Sequence, residues 1–582
     1  MYRKTSPQLT LLEPATLVPG LLPDDDWSFV FRDKILPLIE ENKFKHFFQE
    51  QGGAPNKSIK TQVSLLIFMG LEKLTWREVE FMFMRRIDWM NATCTDFGKA
   101  FIDHTTLFKF FQKLEKDDTA YKLFSDLAST FIQECNVSTK KQRVDSFFML
   151  GWLAVLSRYG LFKETIRVFL QSLRKHCPEL YEQIQPELSK NYLKDEFDLT
   201  EKDKEKAQKK ISEMAQDLHR IKCAFENHAK VNGFKTFKIL KTVFEQQCVE
   251  NETSEKQPKQ PKSTDESGSN EQESESNNSD TPDEQDATSN VENKPEIEIR
   301  EKPVGDKIVS TPHNTDAVYV KKKAQKVVGH KAFVTETCDP DNEVQFITDA
   351  HLEKATHSDS KELTEILSRL EANDMKPEDL YGDAGFVNGE TIIESEQRDI
   401  NLAGPSSGRA QDFEEFRKED RPYDIADFDV EFEGSPKELK VISCPEKHEP
   451  LDQNRSDKTG RILVHFNRDI CAECPAQCRC PIKVGTRVAT LDVSEQQYAG
   501  AERHHLYMGD MEYRKECGIR AGAESLVNEV ANGHGARESN HKTELRSKIQ
   551  LIFSSIGCNV KRYIRYMQTC AQKQVELANT AS

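Results

Sequence analysis

A polar, acidic segment in the middle of the chain limits how the rest of it can fold. Residues 250–305 are mostly Ser, Asn, Glu, Asp, Gln and Pro, and residues 250–300 contain 15 acidic against 5 basic side chains. Such a segment buries too little apolar surface to offset the entropy that it would lose on ordering. We therefore predict a disordered acidic linker over residues 250–305, with the folded parts of this 582-residue chain on either side of it.

The first 135 residues have the periodicity of amphipathic helices, with apolar residues every three or four positions. Thr75, followed by acids, and Asp103 are expected to cap two of these helices. We predict a compact all-helical domain over residues 1–135. Its helices are expected at residues 27–41, 59–74, 75–90, 105–116 and 121–134.

The pattern changes after residue 135. The segment RVDSFFML predicts a strand, because Val144, Phe147 and Phe148 suit a pleated surface, and we assign residues 136–160 to the start of an α/β core. Residues 161–249 are highly charged at helical spacing. A solvated helical pair or hairpin, inserted into the core, is the economical interpretation.

Residues 306–408 alternate strand, strand, helix, strand, helix and strand, which is the signature of an α/β fold. Within LYGDAGFVNG a short strand ends before Asp383, and Asn388 is expected to cap a helix running to about Glu396. Residues 409–509 interrupt the pattern with charged, Cys-bearing sequence of little periodicity, and residues 510–582 return to helix.

The charge is unevenly distributed. The net charge of −17 speaks against a nucleic-acid partner, but the acidic linker carries much of it, and residues 513–582 contain 11 basic against 6 acidic side chains. Local charge decides what binds where. No apolar run is long enough to span a membrane, and the apolar stretch near the N-terminus is short and interrupted by Glu13. We therefore expect a cytosolic protein without a membrane partner.

Three acids have noteworthy positions: Asp145 in the first strand of the α/β part, Asp383 at the end of a later strand, and Glu524 early in a helix. If the sheet gathers them, they form an all-oxygen cluster suited to Mg²⁺ or Mn²⁺. Two such ions can activate a water and stabilise the leaving oxygen of a phosphodiester. Three isolated acids are, by spacing alone, a weak signal.

Five of the 14 cysteines fall in one region of the chain. Without a secretion signal they are interpreted as reduced thiols. The spacing C-x2-C-x3-C-x-C, with Cys444 and His448 nearby, suits one tetrahedral Zn²⁺, and a metal-free cluster is the alternative. The candidate ligands are Cys444, Cys471, Cys474, Cys478 and Cys480.

Several segments together resemble the DDE transposases of bacterial insertion sequences, among them RVDSFFMLGWLAVLSRYGLFKETI, LYGDAGFVNGETI and IRAGAESLVNEVANGHGARES. The order of a VDS step, a YGDAGF step, an R-x3-E step and a basic helix is more specific than any one motif. The resemblance implies an α/β fold with an RNase H-like mixed sheet core, an N-terminal helical domain, a helical insertion and a Cys-rich insertion. Asp145, Asp383 and Glu524 match the catalytic acids, which would hold two Mg²⁺ or Mn²⁺ ions.

The resemblance also implies an activity and partners. A protein of this kind binds the terminal inverted repeats of its element, hydrolyses phosphodiester bonds at the ends and transfers the freed 3′-OH strand into target DNA. It would work in the cytoplasm at the nucleoid, as a homodimer or larger synaptic complex, with the helical domain as the candidate reader of DNA ends. Arg520 matches an arginine that contacts DNA near the cut. Cys517 and Ala531 replace a Tyr and a Lys of some relatives, so His534 and Arg537 are candidate substitutes.

The last helices carry basic side chains that can follow a phosphate backbone, with Tyr563 and Tyr566 among them; an ordinary charged helix face is the alternative. These side chains are Arg546, Lys548, Lys561, Arg562 and Arg565. A second basic patch spans Tyr319 to Lys326.

Other interpretations stay open at this point. Asp359 is expected to cap a helix, Glu529 to be solvated and Asp316 to lie in a turn. Phe147 and Phe148 stand where relatives often have a polar residue, which keeps a catalytically inactive, transposase-derived DNA-binding protein open as the alternative function, whereas the presence of all three acids favours activity. A general nuclease is a third class.

Overall fold

The structure is a computed structural model of the chain. It describes residues 2–4, 12, 14–49, 55–151, 157–194, 204–251, 296–305, 308–313, 315, 317–322, 325–407, 412–433, 438–456 and 458–581. The chain forms two compact units. The first comprises residues 1–154 and 316–582, and the second comprises residues 155–315. Asp316 and most of the predicted linker, residues 252–295, lie outside the described residues.

The N-terminal region is helical, as its periodicity predicts. Thr75 accepts from the Glu78 N–H and Glu78 bonds back to Thr75, which closes a capping box, and Asp103 caps the next long helix. The helices are α1 (Pro14–Leu17), α2 (Trp27–Val30), α3 (Ile59–Glu72), α4 (Trp76–Phe83), α5 (Ile87–Ala92), α6 (His104–Lys113) and α7 (Thr119–Glu134), with π or 3-10 turns at Phe31–Ile35, Leu36–Leu38, Glu41–Phe47 and Leu114–Lys116. Strand β1 (Lys141–Leu150) follows them.

The unit of residues 155–315 is a helical body with a core of its own. Its elements are α8 (Arg158–His176), α9 (Pro178–Ile184), α10 (Lys204–Phe225), α11 (Ala229–Asn232), α12 (Lys235–Gln247), β2 (Cys248–Asn251) and β3 (Glu296–Ile299). Phe162, Phe169 and Leu218 are fully buried in it, so the prediction of a solvated pair was wrong: the dense charge surrounds an apolar stripe. The predicted linker is also too wide, because its two ends pair as β2 and β3.

A six-stranded mixed sheet forms the centre of the larger unit. Its further strands are β4 (Val318–Lys322), β5 (Gln325–Thr337), β6 (Ile347–Lys354), β7 (Asp379–Tyr381) and β8 (Asn401–Ala403), with helices α13 (Asp359–Ala372) and α14 (Gly389–Gln397) between the last three. The strands lie in the order β6-β5-β1-β7-β8, and β4 also pairs with β5. Strand β5 runs antiparallel to β6 and to β1, whereas β7 is parallel to both β1 and β8. This arrangement fits an RNase H-like core.

The Cys-bearing insertion is built from short strands. Its elements are α15 (Phe413–Phe416), β9 (Asp429–Glu433), β10 (Glu438–Ser443), β11 (Asp452–Arg455), β12 (Ile462–Phe466), α16 (Arg468–Ala472), β13 (Lys483–Val484) and β14 (Ala489–Val493). They form a two-stranded and a four-stranded antiparallel sheet around a small core that includes Val441 and Val464. The sequence did not predict these strands, because two to six residues carry too few repeats of an alternating pattern to stand out.

The chain closes with α17 (Glu495–Gly509), α18 (Met511–Cys517), α19 (Gly522–Asn528) and the long α20 (Glu544–Ala581). Helix α20 packs on α3, α7 and β6. Phe131 of α7 stacks on Tyr563 of α20 at 4.3 Å between ring centroids and contacts Phe346 beside the sheet. The N-terminal helices therefore share one core with the sheet, whereas the sequence predicted a helical domain of its own. In the described part of the chain, no helix has the length and apolar character needed to cross a membrane.

Candidate active site

Asp145 lies on β1, and Asp383 lies two residues beyond the end of the neighbouring parallel strand β7. Arg143 of β1 is in register with Tyr381 of β7, and each acid follows two residues later, so both arrive at the same part of the sheet. The Gly385 N–H donates to Asp383 Oδ1 at 2.8 Å, which shapes the turn after β7. Two residues 238 positions apart are thus brought together by one strand pairing.

A third carboxylate, that of Asp359, approaches the same turn. The prediction that Asp359 caps α13 was wrong: Ser358 is the cap and accepts the Lys361 N–H. Asp359 Oδ2 instead lies 2.6 Å from the Lys331 ammonium. A Cβ placed on Gly385 would lie 2.9 Å from Asp359 Oδ2 and 3.0 Å from Asp383 Oδ1, so these two carboxylates flank the glycine.

The electrostatics of this region act on Asp145. Burial and the nearby carboxylates of Asp383 and Asp359 raise the pKa of Asp145 to about 6. A 2.7 Å hydrogen bond from the Ser146 N–H and the charge of Arg520 act in the opposite direction and lower it. Burial is the largest of these causes, and the contributions of Asp383 and Asp359 show that their carboxylates lie near enough to act on Asp145. Arg520, half-buried in the turn before α19, is the cation that acts on it.

A network of buried ion pairs lies beside Asp145 and fixes α19 against β1. Arg143 donates to Glu336 Oε1 at 2.8 Å and to the Ile519 carbonyl at 3.0 Å. Glu336, only 1% exposed, also accepts from Arg562, which in turn binds Glu529, both at 2.7 Å. Two predictions are thereby wrong: the donors of Arg562 are engaged inside the protein rather than facing DNA, and Glu529 is ion-paired rather than solvated.

Glu524 is the third residue of α19, the helix that packs on β1. Its side chain is exposed, and the groups that act most strongly on Asp145 are Asp383, Arg520 and Asp359. Among the described residues, the predicted acid trio is not one of the groups whose ligand atoms already lie within 4.8 Å of one another.

Three other groups do meet that distance, and in each an arginine compensates an acid. Glu529 of the first pairs with Arg562. Glu362 of the second pairs with Arg369 at 2.9 Å, and Asp427 of the third with Arg421. The groups are Glu529, His534 and Cys558; His351, Glu353 and Glu362; and Asp424, Asp427 and His505. Each of these groups includes a histidine or a cysteine, and one acid in each is already paired with an arginine, so none of them is an all-oxygen site.

The carboxylates around Gly385 fit a hard divalent cation better. Asp145, Asp383 and Asp359 offer only oxygen ligands, as Mg²⁺ and Mn²⁺ prefer. Asp359 Oδ1 is buried and has no hydrogen-bond partner among the described residues. Burial is the largest cause of the raised pKa of Asp145, and the charges of Asp383 and Asp359 add to it. A cation here would satisfy the free oxygen and relieve the repulsion.

Two families of known proteins match the chain. The Transposase domain (DUF772) matches residues 21–113, and the Transposase DDE domain matches residues 443–564. Both matches support a DDE-type transposase of an insertion element. The predicted resemblance is thus confirmed. The DDE match includes Arg520, Glu524 and the cysteines of the insertion, whereas Asp145 and Asp383 lie outside both matched ranges. No curated protein and no solved structure matches the chain.

The basic residues predicted to contact DNA differ in their exposure and in the contacts that they make within the protein. Arg565 is exposed, and Lys561 has a side chain that is 34% exposed and lies 3.9 Å from Glu529. Arg546 pairs with Glu115 at 2.5 Å, and Arg537 lies over the Phe147 ring, 5.7 Å from its centroid. Lys548 is half-buried on α20.

Two further candidates for DNA contact, His534 and Tyr563, are buried. His534 is 1% exposed, and its Nδ1 lies 3.1 Å from the Gly70 carbonyl oxygen, so it is not available to substitute for a DNA-end contact. Tyr563 is likewise buried against Phe131. The patch from Tyr319 to Lys326 falls on β4 and β5, with residues 323 and 324 outside the described residues.

Sequence reasoning missed Arg143 and Lys331. Arg143 precedes Asp145 by two residues, and side chains at that spacing share one face of a strand, so its position was a usable signal. Lys331 gave no such signal, because its partner Asp359 lies 28 residues further on, beyond the end of the next strand.

Proposed function

We propose that this transposase binds the terminal inverted repeats of its element, hydrolyses a phosphodiester bond at each end and transfers the freed 3′-OH strand into target DNA. The observation that supports the proposal is that Asp145 on β1 and Asp383, two residues beyond the parallel strand β7, are close enough for the charge of Asp383 to act on Asp145. The two residues, with Glu524, would hold the divalent cations.

Carboxylates suit this task because a hard cation binds anionic oxygen strongly. Two Mg²⁺ or Mn²⁺ ions, when bound, activate the attacking water and stabilise the leaving oxygen. Asp145 is on β1 and Asp383 lies two residues beyond β7, so the sheet supports both acids, and α19, which packs on β1, carries Glu524. The exposed side chain of Glu524 is free to rotate toward the two aspartates, since no hydrogen bond to it is found within the described residues.

Arg520 is suited to the phosphate. A guanidinium beside the acids can neutralise the charge that develops on a phosphoryl oxygen during cleavage. The exposed cations of α20, above all Arg565, would follow the DNA backbone. We assign recognition of the element's ends to the N-terminal helices, and assembly to a homodimer or larger complex at the nucleoid, because two ends must be held together for transfer.

The test is cleavage of a labelled DNA that carries one end of the element, taken from the inverted repeats flanking the gene, in the presence of Mg²⁺. Asp383→Asn should reduce nicking to the level without Mg²⁺. Glu390→Gln, a matched change at an exposed acid seven residues further on, should leave nicking intact. DNA binding measured on the same samples separates loss of chemistry from loss of recognition.

Three outcomes would overturn the proposal. Equal nicking by the Asp383→Asn variant and the unchanged protein would remove Asp383 from catalysis. Binding without nicking by the unchanged protein would favour an inactive, transposase-derived DNA-binding protein, for which the exposure of Glu524 away from the acid cluster is the supporting observation. Equal cleavage of DNA without the repeats would indicate a general nuclease.

A further inference from the structure

We infer that Cys444, Cys471, Cys474 and Cys480 bind one structural Zn²⁺ and that Cys478 is not a ligand. The four cysteines line a single cavity of about 20 Å³ in the Cys-bearing insertion, together with His448. Cys478 does not line it and is exposed. Of the five cysteines that the spacing offers as ligands, the fold therefore selects four.

The cavity has the size and chemistry of a site for one ion. A void of about 20 Å³ holds about one water-sized sphere. Cys444, Cys471, Cys474 and Cys480 all line this void, so one ion bound in it would have four sulfur ligands around it. Four thiolates so close would repel each other, and a bound Zn²⁺ removes that cost because it coordinates all four.

The Cys444 turn presents its sulfur as a metal ligand. The Cys444 N–H donates to the His448 carbonyl at 2.9 Å, and the His448 N–H donates back to Cys444 Sγ at 3.3 Å. Lys447 between them has a left-handed backbone, with φ of 61°. A non-glycine residue adopts this conformation at a cost, and the tight turn that it forms aims a backbone N–H at the sulfur. Such a hydrogen bond stabilises a thiolate and fixes its direction.

The other three ligands come from a segment held at both ends. Cys471 lies in the last turn of α16 and Cys474 follows it at C-x2-C spacing. Cys480 follows a 3-10 turn, Gln477–Arg479. Arg479 donates to the Tyr423 hydroxyl at 2.8 Å and lies over its ring at 4.4 Å, which anchors that turn. The anchored turn places Cys480 at the cavity and leaves Cys478 outside.

A structural role follows from the ligand number. Four cysteines complete a tetrahedral site and leave no position open for a substrate or water. The insertion has a small core, and domains of that size commonly need a metal or disulfide to be stable. The cysteines are not among the groups whose ligand atoms already lie within 4.8 Å of one another in the described chain, so the sulfurs must move together to reach a Zn–S distance of about 2.3 Å.

The first test is the zinc content of the full chain, purified under reducing conditions and dialysed against metal-free buffer. We expect about one Zn²⁺ per chain for the unchanged protein and for Cys478→Ser. Cys444→Ser and Cys480→Ser should retain little of it. His448→Gln should keep its zinc, since His448 lines the cavity without being a ligand. Zinc absent from the unchanged protein, or lost in Cys478→Ser, would overturn the inference.

A second test works on the unchanged protein and does not depend on how the variants fold. Alkylation with iodoacetamide, followed by mass spectrometry, should label Cys478 quickly while Cys444, Cys471, Cys474 and Cys480 are protected. A strong chelator should release the zinc and expose all four together. Rapid labelling of Cys474 or Cys480 before chelation would contradict the inference. Neither test involves DNA cleavage, so their failure leaves the proposed function standing.

Discussion

Arg143 donates a hydrogen bond to the Ile519 carbonyl at 3.0 Å, which ties β1, the strand of Asp145, to the turn before α19, the helix of Glu524. The two candidate metal ligands come from distant parts of the sequence, and this bond is one of the contacts that set their spacing. Glu336 holds the other side of the Arg143 guanidinium. The geometry of the site thus depends on an arginine that need not touch the substrate.

Gly522→Ala is expected to disturb this arrangement. A Cβ on Gly522 would lie 1.8 Å from Arg143 Nη1, so the guanidinium must leave its place between Glu336 and α19. Overpacking of this kind costs about 1–3 kcal/mol. Gly518→Ala in the preceding turn is the control, because no atom lies within 4 Å of its added Cβ. Urea unfolding should show the loss for Gly522→Ala alone, and equal stability of both variants would contradict the close approach.

Arg562→Gln and Arg565→Gln are expected to separate stability from DNA binding. Arg562 compensates the buried Glu336, and breaking such a pair typically costs about 3–5 kcal/mol; the remaining partner Arg143 should keep the loss near the lower figure. Arg565 is exposed, so its loss should change the free energy of unfolding by less than about 0.5 kcal/mol.

DNA affinity measured over a range of salt concentrations completes the comparison. Arg565→Gln should weaken binding to all sequences and reduce the slope of log K against log salt by about 1, because one phosphate contact is lost. An unchanged slope would remove Arg565 from the interface. If the Arg562→Gln protein were stable but bound DNA more weakly, Arg562 would instead belong to the DNA interface.

Asp145→Asn is expected to stabilise the metal-free protein at neutral pH. The pKa of Asp145 is about 6 in the folded chain against an ordinary 3.8, so the folded state holds its proton more tightly than the unfolded state. Stability is therefore lost as pH rises from about 4 to about 6 and stays low above that. Two pKa units correspond to about 3 kcal/mol, which is an upper limit for this one group.

Unfolding in urea between pH 4 and 8, with a chelator present, measures this effect. The gain from Asp145→Asn should be near zero at pH 4 and grow to its full size by about pH 7. Mg²⁺ should then stabilise the unchanged protein and have little effect on the variant. A gain that does not vary with pH would mean that the ionisation of the buried Asp145 is not its cause.

The features that sequence predicted well are local ones. Thr75, Asp103 and Asn388 cap helices, and a cap needs only a side chain and a backbone N–H two or three residues apart in the sequence. Strands β1, β5 and β6 carry long runs of strand-forming residues. The adjacency of Asp145 and Asp383 required the resemblance to a known family, since nothing local records which strands pair. Arg562 and Asp359 were misinterpreted for the same reason: their partners Glu336 and Lys331 are set by tertiary packing.

Lys331→Gln is expected to make the protein more dependent on divalent cations. Lys331 and Asp359 are 11% and 19% exposed, and the ammonium is the partner of a carboxylate that already faces Asp383 across Gly385. Without it, the carboxylates repel one another uncompensated, which should lower the free energy of unfolding by about 2 kcal/mol in a chelator. Mg²⁺ at millimolar concentration should restore most of that loss, because the cation takes over the role of the ammonium.

Lys354→Gln, a change at an exposed residue on the neighbouring strand, is the control and should alter stability little with or without Mg²⁺. A loss in Lys331→Gln that Mg²⁺ does not reduce would show that the carboxylates around Gly385 do not bind the ion.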